Sequence, residues 1–162
     1  MVNIKTLFKE RKISRISELE LDRYINFFQN SYKDNFNHAK ENLLKFPRWS
    51  IISGYYAMHD IAKLFIAKKF RIKIEREVHL TTIKVLRILS KRKDLPKLLE
   101  IGYKEFKNLI QDLEIARKER IKVQYYTGTP YLEKIYRERA TNFLKNIVEK
   151  FLSKMEELIK WY

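Results

Sequence analysis

The chain has 162 residues, 45% hydrophobic and 34% charged, enough to close one core as one domain without a staple. It has no cysteine, and charge breaks every apolar run well before 18 residues. A disulfide framework, a thiolate zinc site and a membrane-spanning helix are therefore excluded. Its net charge of +15 favours polyanionic partners such as RNA, DNA or nucleotides, held by phosphate contacts.

The N-terminal MVNIKTLFKERK lacks the apolar centre of a signal peptide, so a soluble cytoplasmic protein is expected. Heavy use of Lys, Ile and Glu suits a thermophile. The charge excess is densest over residues 49–94, which carry +7. A Lys-rich solvated surface with no ligand would give the same number.

Residues 1–16 read as a basic arm or short helix, ahead of a single domain over 17–162. Ser17 and Glu20 form an S-x-x-E capping box, which opens a first long helix with the stripe Leu21, Tyr24, Phe27/Phe28, Tyr32 and Phe36. Pro47 interrupts it. The next helix is expected from about Arg48 to Phe70. Its apolar face is so wide that it belongs at the centre, covered on more than one side. A charged connection over 71–78 follows, then a helix over roughly Thr81–Lys91. Asp94 and Pro96 mark the start of another, whose stripe runs through Leu99, Phe106 and Leu113 and continues in phase onto Arg117, Arg120 and Gln124. Thr129 and Pro130 then open the last helix, with Phe143/Leu144, Ile147/Val148, Phe151/Leu152 and Met155 inward. No segment alternates with period two. The expected fold class is all-α, an up-and-down bundle of four to five long helices.

Three histidines stand alone without metal-ligand spacing, and no phosphate-loop, dinucleotide or nucleophile-elbow motif is present. No metal and no cofactor are expected. His59 reads as a hydrogen-bonded core residue and His38 as a surface residue. His79 caps the third helix or helps a phosphate site. The basic cluster Arg117, Lys118, Arg120 and Lys122, beside Gln124, Tyr125 and Tyr126, is the principal candidate site. Arginine pairs its donors onto phosphate oxygens. The bland alternative is cations placed on a helix C-terminus by its dipole, with two tyrosines that simply pack.

The segment W-x5-YYAMHDIAKLFI at 49–66, His79-x-T-T, and R-x-K-V-Q-Y at 120–125 resemble the HEPN family, small helical proteins of bacteria and archaea. The likeness spans roughly Leu21 to Ile159. It implies a HEPN-like bundle that forms a homodimer. Many members are metal-independent ribonucleases that join two Arg-x4-6-His segments across the two-fold. Some pair with a minimal nucleotidyltransferase, as toxin and antitoxin or as helper. Arg120 matches the family arginine, and Tyr125 stands where the nearest histidine belongs. Positions 126 and 127 are Tyr and Thr, so no longer spacing supplies it. The expected catalytic pair is thus Arg120 and Tyr125, with Tyr in place of His. Arg117, Lys118, Lys122, Gln124, Tyr126 and His79 are the expected phosphate contacts. Tyrosine is a poor base at neutral pH, so an RNA-binding protein with a degenerate ribonuclease motif is expected. The alternatives are an active ribonuclease toxin and a non-enzymatic helical scaffold.

Overall fold

The structure, a computed structural model, describes residues 3–122 and 130–161, without the side chains of 113, 115–122 and 130–133. It is mostly α, with the elements α1 (Ile4–Lys9), β1 (Ile13–Arg15), α2 (Glu18–Glu41), α3 (Pro47–Phe70), β2 (Ile72–Ile74), α4 (Val78–Leu89), α5 (Asp94–Lys122), α6 (Pro130–Phe143) and α7 (Glu149–Lys160). A π-helical turn, Leu144–Val148, joins the last two into one continuous rod.

Helix α3 is the centre. Fifteen of its 24 residues are buried, because α2, α4, α5, α6 and α7 all pack on it. That is the physical reason its sequence is apolar on nearly every face. Pro47 occupies its first turn, where a missing N–H costs nothing. The helix ends at Arg71, in the left-handed region at φ 53.

Two features depart from a purely helical expectation. β1 and β2 pair antiparallel, Ile13 opposite Ile74 and Arg15 opposite Ile72. Ile13, Ile72 and Ile74 are buried, so the charged connection over 71–78 carries a strand. A three-residue strand is too short to show an alternation. The N-terminal arm also contributes to the core, with Leu7 and Ile16 buried. The Ser17–Glu20 pair caps differently from the expected box. The Ser17 hydroxyl donates to the Glu20 carboxylate at 3.1 Å and caps no backbone N–H.

Glycine allows close packing on α3. A Cβ on Gly54 of α3 would meet Val148 Cγ2 at 3.2 Å, Leu144 Cδ1 at 3.3 Å and Phe143 Cε1 at 3.4 Å. The π-turn therefore seats on bare backbone at this point. Just before the π-turn, α6 is clamped to α5 by Arg139, which donates to Glu105 at 2.8 Å and to Asp112 at 2.9 Å.

Candidate functional site: an aromatic cluster beside an α2–α3 groove

Helix α5 runs antiparallel to α3. Gly102 faces Met58, and Phe106 stacks on Tyr55 at a centroid distance of 4.9 Å. Further along, Asp112 accepts from the Tyr136 hydroxyl at 3.4 Å, and Arg48 lies 5.4 Å from the Tyr136 ring centre. The C-terminal half of α5 thus heads for the end of the bundle where α3 begins.

Arg117, Lys118, Arg120 and Lys122 fall in the last turns of that helix, and their side chains lie outside the described residues. Gln124, Tyr125 and Tyr126 also lie outside them. The structure therefore gives no geometry for the expected catalytic pair. Of the expected site residues, only His79 has a described side chain.

His79 sits in the first turn of α4, half-buried, inside an aromatic cluster. Its ring stacks on Tyr103 at 5.3 Å with 19° between planes, and lies 4.9 Å from His59 and 5.8 Å from Phe106. Its Nδ1 is 2.7 Å from the Tyr55 hydroxyl. Burial, followed by the neighbouring Tyr103 and Tyr56, pushes the Tyr55 phenol well above its ordinary range, so it keeps its proton. That proton needs an acceptor, and Nδ1 is the partner in reach. His79 is then neutral with its proton on Nε2. Burial, with His59 and Lys63 nearby, lowers its pKa to about 4. A ring in this state donates from Nε2 and has no free lone pair with which to abstract a proton.

His59 is a core residue. Thr82 donates to the Val78 carbonyl at 2.7 Å, which leaves its oxygen to accept from His59 Nε2 at 3.2 Å. His59 Nδ1 is buried with no hydrogen-bond partner and faces Asp60 Oδ1 at 3.8 Å. The Asp60 carboxylate is held from the other side by Ser31 at 2.7 Å and Asn35 at 3.0 Å.

Tyr56 connects this cluster to an open groove. Its ring lies 5.6 Å from Phe106 and 6.2 Å from His79, and it also forms one wall of a cavity of about 580 Å³ between α2 and α3. Asn35 and His38 line the α2 side, with Asn42 just past its end. Trp49, Ile52 and Ser53 line the α3 side, and Phe46 stands at the mouth. Trp49 is 59% exposed and Phe46 56%, which is unusual for side chains of this size. His38 Nδ1 pairs with the buried Ser53 hydroxyl at 2.7 Å.

Sequence reasoning alone does not single out this groove. Its signal is the spacing 35, 38, 42 along α2 and its C-cap, and 49, 52/53, 56 on α3, each a single helical face. Among the described residues no cluster of His, Asp or Glu is arranged to hold a metal ion, and no helix is long and apolar enough to cross a membrane. Comparison with protein-family models, with curated proteins and with solved structures found no match to this chain.

Proposed function

We propose that this chain is a HEPN-like, homodimeric protein that binds RNA or nucleotide phosphates, a helper or toxin-like partner of a minimal nucleotidyltransferase whose ribonuclease motif has degenerated. The observation that carries the reading is the +15 net charge. A field of that size concentrates polyanions at the surface and speeds their capture. Arg117, Lys118, Arg120 and Lys122 supply paired and point-charge donors for phosphate oxygens, with Gln124 and Tyr126 beside them.

The same residues bind without cleaving. Transfer of the 2′-hydroxyl proton needs a base with a pKa near neutrality. A tyrosine hydroxyl, with an ordinary pKa near 10, is a poor base at neutral pH. His79 has one nitrogen taken up by Tyr55 and its proton on the other, so it does not substitute.

The test is incubation of single-stranded RNA with the protein in EDTA, with a search for 2′,3′-cyclic phosphate ends. The expected result is binding without cleavage, and some cleavage restored by Tyr125→His, because Arg120 then has its partner five residues on. Wild-type cleavage that survives Tyr125→Phe and is lost in Arg120→Ala overturns the non-catalytic reading.

A further inference from the structure

The geometry points to the α2–α3 groove as a docking site for one unpaired nucleobase of a single-stranded RNA, stacked on Trp49 and read by the carboxamide of Asn42. This deepens the RNA-binding reading and rests on it.

Exposed aromatic rings form the platform. Trp49 and Phe46 present more than half of their surface to solvent at the rim of the groove, while Tyr56 lines its inner wall against the His79 cluster. A base stacks on such a platform whatever its identity, because every base has a π face. The cavity, at about 580 Å³, lies in the range of small-ligand sites.

The polar side chains fix which edge is read. Asn35 Nδ2 donates to the Asp60 carboxylate at 3.0 Å, and Asn42 Nδ2 donates to the His38 carbonyl at 2.9 Å. Both partners only accept, so the amide nitrogen of each asparagine must face them. Each carboxamide oxygen is then left as an acceptor. The Asn42 oxygen, at the Trp49 end of the groove, selects a base edge that carries a donor. Adenine, cytosine and guanine have an exocyclic amino group, whereas uracil offers one ring N–H. An apolar partner segment would leave these carboxamide oxygens desolvated and unpaired, at a cost a base edge avoids. Charge complementarity supports the same occupant. Lys45 is exposed on the loop next to Phe46 at the rim of the groove, a cation for the phosphates that flank a docked base.

The test uses the full chain with Trp161→Phe, so that Trp49 is the sole tryptophan. Octamers of C, of U and of abasic ribose-phosphate carry equal charge. Anisotropy of a labelled oligonucleotide reads binding, and Trp49 emission reads stacking. Oligo(C) is expected to quench Trp49 and to bind about five-fold more tightly than oligo(U), two pyrimidines that differ at the amino group. The abasic chain binds through charge without quenching. Trp49→Ala weakens oligo(C) at least about five-fold, and Asn42→Ala removes the C-over-U preference while the helical circular dichroism is kept. Equal binding of C, U and abasic chains with no quenching overturns the base site and leaves the phosphate-binding reading standing. Failure of every oligonucleotide to bind overturns both. Trp49 emission that blue-shifts with protein concentration in the absence of RNA overturns the base site in favour of a second copy covering the groove.

Discussion

The Tyr55–His79 hydrogen bond makes an acid-sensitive point in an otherwise apolar cluster. In the folded chain His79 takes up a proton only near pH 4, whereas an unfolded histidine does so near 6.5. Between those values the unfolded chain binds more protons, so stability falls as the pH drops. The contribution is complete above about pH 6.5 and is lost by about pH 4. The ring is half-buried, and solvent screening reduces the expected loss to about 1–2 kcal/mol. Urea unfolding at pH 7, 5.5 and 4.5 checks this, and His79→Gln should flatten the profile over that window. Asp94 acts lower down. The Lys154 ammonium at 2.6 Å, then Arg92, brings its carboxyl to about 2, so its contribution is lost only between about pH 3.8 and 2. Equal losses in wild type and His79→Gln between pH 6.5 and 4 would contradict the assigned state of His79.

The π-turn and Gly54 form one contact between elements. Gly54→Ala asks three neighbours to give by a few tenths of an ångström, which the better helix propensity of alanine partly offsets. Gly54→Val adds a Cβ and two methyl groups against Val148 and Leu144, and should destabilise by about 1–3 kcal/mol, measured as a lower melting midpoint. An unchanged midpoint would mean that the rod slides freely on α3.

Much of this element layout was legible in the sequence. The apolar stripes marked α2, α3, α5 and the last helix, and Pro47 and Asp94 fell at real starts. What escaped was non-local. β1 and β2 are three residues each and exist only through each other, with α2 and α3 lying between Arg15 and its partner Ile72 in the chain. The π-turn packs on Gly54, a contact between distant segments that no periodicity records. Phe27 stands on the expected inward stripe yet is 62% exposed, since Phe28 takes the buried place. The candidate site divides in the same way. The aromatic and histidine residues of α3 were visible as a greasy face, but the pairing of His38 with Ser53, or Asn35 with Asp60, depends on how α2 lies on α3.

For the whole molecule, the charge and the assembly are the quantities to measure. The proposed homodimer places the 117–126 segments of its two copies near the two-fold axis. Light scattering at tens of micromolar should give twice the 19.8 kDa chain mass, and a monomer would contradict that assembly.

The most direct measurement for the phosphate-binding claim is RNA affinity by anisotropy at about 50 and 200 mM salt, a range over which counterion release acts strongly. The wild type is to be compared with Arg117→Ala/Arg120→Ala and with Lys145→Ala/Lys150→Ala, a change at two exposed lysines of the last helical rod. The expected result is an affinity that drops at least about ten-fold between the two salts, and a larger loss for the arginine pair than for the lysine pair. Equal losses for the two pairs, or no binding at the lower salt, would contradict a defined phosphate site and leave the +15 charge as surface alone.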